Sequence, residues 1–311
     1  MIISASRRTD IPTYYSEWFF NRIREGFVYV RNPMNIHQIS EISLHPGVVD
    51  GIVFWTKNPI PMIDRLNELD RYVYYFQFTL NSYGTDVEPN IPSKKEVIIP
   101  AFQKLSKTIG KDRIIWRYDP ILLNDKYTID YHIKYFRILA ERLSGYTEKC
   151  TISFIDLYKN TQRNTAPLQI QTPTDEQILI LMSEFSQIAN KNGIYIDTCS
   201  EKIDLDKYGI THAHCIDQAR FERLGNYALK IEKDKNQRQE CGCIASIDIG
   251  AYNTCKNGCL YCYANYSQKT VRANNKLHDP QSPLLFGSVG QDDVIKQREV
   301  HSCRDCQMKL F

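Results

Sequence analysis

Residues 51–58 read Gly-Ile-Val-Phe-Trp-Thr-Lys-Asn. Five of them suit a strand buried on both faces, and the run then ends abruptly in polar side chains. The same unit recurs on either side. Short runs rich in Ile, Val, Phe and Tyr lie at 2–5, 72–78, 113–116, 150–154 and 194–197. Helical patterns lie between them, at 14–25, 61–69, 94–109, 129–143 and 174–192. The last is the best marked: Thr174 can cap its start, Gln177 stands three residues on as in a capping box, and Gly193 follows as a stop. This alternation predicts a parallel sheet, either a barrel or a doubly wound sheet. No GxGxxG or GxxxxGK[ST] fingerprint follows a strand, which argues against dinucleotide and P-loop folds.

The polar residues at the strand ends favour the barrel. They are Arg7, Arg8, Thr9 and Asp10; Thr56, Lys57 and Asn58; Gln77, Thr79 and Asn81; Arg117 and Asp119; Asp156; and Asp197, Ser200 and Glu201. In a parallel barrel these ends converge on one mouth, where active sites are built. Loops are polar in any protein, so no single residue carries the reading; its repetition at six ends does. The expected fold is α/β: a TIM-like β/α barrel, partial or permuted, formed by residues 1–270. Residues 271–311 are expected as a C-terminal tail packing on it.

At 311 residues, 42% hydrophobic and 24% charged, the chain has a globular composition, and disorder is excluded. Lys and Arg total 39 against 36 for Asp and Glu, a net +3 that offers no dominant polyanion-binding surface. The opening MIISASRRTD lacks the pattern of a signal peptide, and no apolar run is long enough to cross a bilayer. A cytoplasmic location without a membrane partner is expected. Cysteine is the unusual component. Of ten, nine lie after residue 198 and seven after residue 240. In a reducing compartment such clustering points to metal binding or redox chemistry rather than to disulfides.

The densest group runs Cys255-Lys-Asn-Gly-Cys259-Leu-Tyr-Cys262, after a last expected strand at 244–249. Three thiolates at this spacing can hold three irons of a cubane and leave the fourth iron without a protein ligand. Gly258 allows the tight turn this needs. A zinc knuckle with its fourth ligand from elsewhere is the other reading, although zinc sites tend to use paired CxxC spacings.

This segment resembles the CxxxCx[aromatic]C cluster motif of the radical S-adenosylmethionine (SAM) superfamily, with Tyr261 at the aromatic place. The extension Cys259-Leu-Tyr-Cys262-Tyr-Ala looks especially like the spore photoproduct lyase branch. Over essentially its full length the chain resembles the family catalogued as domain of unknown function 1848. That family is known for a C-terminal cysteine cluster similar to the one radical SAM enzymes carry near their amino terminus. The resemblance implies that Cys255, Cys259 and Cys262 ligate a 4Fe–4S cluster. It implies SAM on the open iron and a 5′-deoxyadenosyl radical formed in the barrel mouth. The usual motif follows the first strand; here it follows the last. First and last strands of a barrel are neighbours, so the arrangement looks like a circular permutation. Arg7, Arg8 and Asp10 should then end the strand beside the cluster loop.

The remaining candidates follow from position. Cys199, Cys215, Cys241 and Cys243 can be drawn together by strand ends into a second iron–sulfur cluster or a zinc site, or Cys199 and Cys215 are small buried hydrophobes. His212 and His214 read as polar contacts, and Cys150 as core. The Cys303–Cys306 pair is a half-site, a redox pair or neither. Arg7, Arg8, Lys57, Arg117 and Asp119, with Tyr261, are the candidates to bind SAM, or else to form salt bridges across the mouth. Trp55, Tyr74, Tyr75, Trp116, Tyr118 and Tyr158 either stack a base or pack the core. The expected function is a radical SAM-type enzyme acting on a small molecule or nucleobase, with a reductant such as ferredoxin or flavodoxin. The alternative is a non-catalytic iron–sulfur or zinc protein associated with nucleic acid.

Overall fold

The structure, a computed structural model, describes residues 1–201, 203–238 and 240–305. Its strands are β1 (Ile2–Ala5), β2 (Phe27–Asn32), β3 (Asn35–Ser43), β4 (Gly51–Thr56), β5 (Tyr74–Thr79), β6 (Ile114–Ile121), β7 (Lys149–Phe154), β8 (Tyr195–Thr198), β9 (Thr211–His212), β10 (Ile247–Asp248) and β11 (Val294–Gln297). Eight of them form one sheet in the order β10-β1-β4-β5-β6-β7-β8-β9, with every pair parallel. The α/β class and the parallel sheet are as expected, and the six early strands fall where the apolar runs lie.

Ring closure by strand pairing is not present: no ladder joins β9 to β10 among the described residues. The segments flanking these edges nevertheless meet. The Ile244 N–H donates to the Ile216 carbonyl at 3.1 Å, and the Ile216 N–H donates to Cys243 Sγ at 3.3 Å. The sheet is strongly curled. Tyr75 and Gln77 on β5 both donate to the Cys215 carbonyl at 2.7 Å. In a flat sheet four strand spacings, roughly 19 Å, would separate β5 from β9.

Curling gives the sheet two different faces. The outer face carries Phe54, Phe76, Phe78, Ile114 and Trp116 under the helices, where Phe136 stacks on Phe185 at 3.8 Å and on Trp116 at 4.9 Å. Each such side chain contributes about 1.5–3 kcal/mol by leaving water. The inner face is apolar near the strand starts, with Ile2, Val53, Tyr75 and Ile115 packed on Cys215, Ile216 and Ile244. It turns polar toward the strand ends: Thr79, Arg117, Thr151 and Asp197 stand in one register layer.

The helices depart from expectation mostly at their ends. Helix Ile129–Leu143 has the expected limits, and Asp175–Lys191 starts behind Thr174 with both capping-box hydrogen bonds formed. The expected helix at 61–69 is broken into Ile60–Ile63 and a 3₁₀ turn, Leu66–Leu69, and that at 14–25 is split at Tyr15 into Ile11–Tyr14 and Ser16–Glu25. The expected strand at 244–249 shortens to β10, two residues long. A second sheet, β11-β3-β2, was not anticipated. Residues beyond 270 lie against the N-terminal helix: Trp18, Asn21 and Arg22 donate to the carbonyls of Ser282, Pro280 and Gln281. Among the described residues no helix is long and apolar enough to cross a membrane.

Candidate metal centre

β10 lies beside β1 with Ser4 opposite Asp248, so the chain leaving β10 emerges next to the polar end of β1. Asp248 holds the two together. It accepts from Ser4 Oγ at 3.0 Å, Ser6 Oγ at 2.5 Å, the Arg7 N–H at 2.7 Å and the Gly250 N–H at 3.0 Å. The loop that follows carries Cys255, Cys259 and Cys262.

That loop is pinned from three sides. Asn257 donates to Asp10 Oδ2 at 3.1 Å and accepts from the Tyr14 hydroxyl at 2.7 Å. Asn90 donates to the Lys256 carbonyl, and the Leu260 N–H donates to the Val87 carbonyl at 3.0 Å. Asn275 and Tyr15 both donate to the Thr254 carbonyl. Gly258 has φ +71°, and a Cβ there would stand 2.9 Å from Asn90 Nδ2, so the turn requires glycine. Asp10 is itself buried and fully used, accepting from the Thr13 and Lys57 N–H groups and from Thr56 Oγ1.

Cys255 and Cys259 are buried, Cys262 is partly so, and none is in a disulfide. Burial raises the pKa of all three; Cys259 is pushed up to about 12, with Lys57 opposing the shift. The charges of Cys259 and Cys262 further raise Cys255, and that of Cys262 further raises Cys259. At neutral pH they are protonated, so a metal must displace protons to bind. Asn265, three residues past this motif, has a buried Oδ1 with no hydrogen-bond partner among the described residues. Thr9 Oγ1, Trp55 Nε1 and Thr161 Oγ1 are in the same position. All four residues line one cavity of about 1080 Å³ at the strand ends, and so do the three cysteines. The softness and number of the thiols, and the orphaned polar atoms lining the same cavity, suit a thiolate-held cluster and a polar ligand, although the three thiols are not already arranged to hold a metal ion.

Every other predicted site residue also borders this cavity, but their roles differ. The Arg7 guanidinium lies 5.3 Å over the Trp55 ring and faces Cys243 and Cys215. Arg8 lies 5.0 Å over Tyr252. Lys57 donates to Glu88 at 2.9 Å and to the Tyr261 hydroxyl at 2.7 Å. The Tyr261 hydroxyl donates in turn to Glu88, and Lys94 holds the other Glu88 oxygen at 2.5 Å. Arg117 presents Nε to Asp119 at 2.8 Å and donates to Cys215 Sγ at 3.0 Å. Thus Lys57, Arg117 and Asp119 are hydrogen-bonded within the protein, whereas the Arg7 and Arg8 guanidinium groups lie over aromatic rings at the cavity, Arg8 with Nε 4.0 Å from Asp248. Sequence reasoning missed Glu88 and Asp248. Glu88 sits in a loop between Val87 and Pro89 with no motif around it, and Asp248 is distinguished only by the register of β10.

The second cysteine group also assembles. Cys215 Sγ donates to Cys199 Sγ at 3.3 Å, and the Ile216 N–H reaches Cys243 Sγ at 3.3 Å, with Cys241 two residues before Cys243. Among the described residues no three His, Cys, Asp or Glu side chains are already arranged to hold a metal ion. Cys150 is buried in β7. His212 and His214 are exposed. Cys303 is partly buried with its N–H on Asp50, and Cys306 lies outside the described residues. Of the singled-out aromatics, Trp55 and Tyr158 border the cavity, whereas Tyr74, Trp116 and Tyr118 are core.

Fold and site together describe a parallel α/β protein with a cysteine-lined cavity at its strand ends. Residues 2–264 match the family described as Domain of unknown function (DUF1848), and the chain belongs to that family. A search of curated proteins finds no match.

Proposed function

We propose that this chain is a cytoplasmic radical SAM-type enzyme whose curled sheet acts as a partial, permuted β/α barrel. Cys255, Cys259 and Cys262 hold a 4Fe–4S cluster, and the cavity beside them takes S-adenosylmethionine and a small-molecule or nucleobase substrate. The observation that supports this most is three buried, unbridged cysteines on one short loop bordering a cavity at strand C-terminal ends. When bound, the cluster and SAM supply reductive cleavage of the sulfonium bond and a 5′-deoxyadenosyl radical; a donor such as ferredoxin or flavodoxin is the reductant this calls for.

The chain's own residues bind and orient. Arg7 and Arg8 offer guanidinium groups to a carboxylate. Arg117 is less available, since Asp119 occupies its fork. Lys57, Glu88 and Tyr261 brace the Cys259–Cys262 turn against the sheet, which makes them positioning residues. The orphaned Thr9, Trp55 and Asn265 atoms are free to meet polar groups of a ligand.

The test is anaerobic purification, iron and sulfide analysis, and incubation with SAM and dithionite. Iron and sulfide that are lost in Cys259→Ala, together with 5′-deoxyadenosine made only by the wild type, are expected. Iron without product, or zinc as the metal lost in Cys259→Ala, would overturn the enzyme reading in favour of a non-catalytic metal protein.

A further inference from the structure

The four remaining clustered thiols occupy the one place where the sheet lacks a ladder. Cys199 follows β8, Cys215 follows β9, and Cys241 and Cys243 precede β10. Cys215 Sγ donates to Cys199 Sγ at 3.3 Å, and the N–H of the next residue, Ile216, reaches Cys243 Sγ at 3.3 Å, with Cys241 two residues before Cys243 in the chain. Among the described residues, the backbone around this seam contributes only the Ile244–Ile216 hydrogen bond and the contact of the Ile216 N–H with Cys243 Sγ.

We propose that Cys199, Cys215, Cys241 and Cys243 form a mononuclear tetrathiolate site for a zinc-type divalent ion, which clamps the two edges of the sheet together. The spacing favours one ion over a second cubane. Zinc–sulfur bonds of about 2.3 Å in a tetrahedron place sulfurs roughly 3.8 Å apart. The thiols already touch at 3.3 Å between Cys215 and Cys199. That pair needs to open by only about half an ångström, and Cys243 and Cys241 must turn toward it by side-chain rotation, to surround an ion. A cubane would force them much farther apart. Charge fits as well. Four thiolates around a divalent ion carry a net charge of about −2. Arg117 donates to Cys215 Sγ at 3.0 Å, and Arg7 faces Cys243 and Cys215. Four protein ligands leave no open position, so the site is structural. It does the work that strand pairing does elsewhere in the sheet.

This inference does not depend on the cluster reading, and its test removes that group first. Cobalt(II) is titrated anaerobically into the full-length Cys255→Ala/Cys259→Ala/Cys262→Ala variant. A single equivalent should bind with the strong charge-transfer and visible bands of tetrahedral cobalt thiolate. Adding Cys215→Ser should abolish that spectrum, and adding Cys303→Ser should leave it unchanged. An independent measurement uses the wild-type chain, alkylated before and after a chelator and read by mass spectrometry. Cys199, Cys215, Cys241 and Cys243 should become reactive together, and only after the chelator. Cobalt without thiolate bands, alkylation of the four that ignores the chelator, or a Cys199–Cys215 disulfide in the anaerobically isolated chain would each overturn the site.

Discussion

A carboxylate as deeply buried as Glu88, 2% exposed, is tolerated because two ammonium groups and a phenol share its charge. Burial alone pushes its pKa up, but Lys57 and Lys94 outweigh that and hold it at about 2, against an ordinary 4.5. The depressed value fixes the sign of its pH dependence. Its stabilising effect is fully present above pH 4.5 and is lost as the pH falls from 4.5 through 2. Glu88→Gln leaves both lysines facing a neutral group, and breaking a buried charge set typically costs about 3–5 kcal/mol. Urea unfolding should show that loss at pH 7 and a smaller difference between variant and wild type at pH 3. An equal difference at both values would mean that Glu88 stabilises by packing rather than by charge. The same substitution replaces the charged acceptor of the Tyr261 hydroxyl by a neutral one, so under the cluster reading proposed above iron retention should fall too, although among the described residues Glu88 makes no hydrogen bond to a cysteine.

At the scale of elements, the cysteine loop owes its shape to Gly258. Alanine there meets both a left-handed backbone and a Cβ contact of 2.9 Å with Asn90. Gly258→Ala should cost about 1–3 kcal/mol, as strained positions do. It should also lower bound iron per chain well before it lowers helix content by circular dichroism. Helix Asp175–Lys191 offers the contrasting case. Thr174→Ala removes a capping-box acceptor remote from the cavity, so about 1 kcal/mol of stability should go with bound iron unchanged. These two elements also mark what was legible in the sequence. The Thr174–Gln177 pair and the long apolar runs are local signals, and both stand in the structure close to where they were read. β9 and β10 are two residues each and exist only because neighbours pair with them, so no local pattern could announce them. The hairpin β2–β3 has its outer strand partner, β11, more than 250 residues away from it in the chain, which explains why it too went unread.

For the molecule as a whole, the cavity depends on how the last part of the chain is returned to the first. The cysteines were legible as a cluster. Their convergence with Arg7, Arg8, Lys57 and Arg117 was legible only as a consequence of strand ends meeting. What joins them is Asp248, which sequence alone does not distinguish from any other acid. It accepts four hydrogen bonds, from two serines of the β1 segment and from the Arg7 and Gly250 N–H groups. Asp248→Ala leaves these donors partly buried and without their acceptor, at about 1–3 kcal/mol for each donor that water cannot reach. The damage should be directional. β1 keeps its full ladder with β4, from Ile2↔Gly51 to Ala5↔Phe54, whereas β10 has only two paired residues to hold it. Amide exchange in Asp248→Ala should therefore quicken across 247–262 while β4, β5 and β6 stay protected. Iron should be lost with the quickened segment. If exchange rose evenly over the whole sheet instead, Asp248 would be a general stabiliser, and the return of the cysteine loop to β1 would rest on other contacts, such as those of Asn257 with Asp10 and Tyr14.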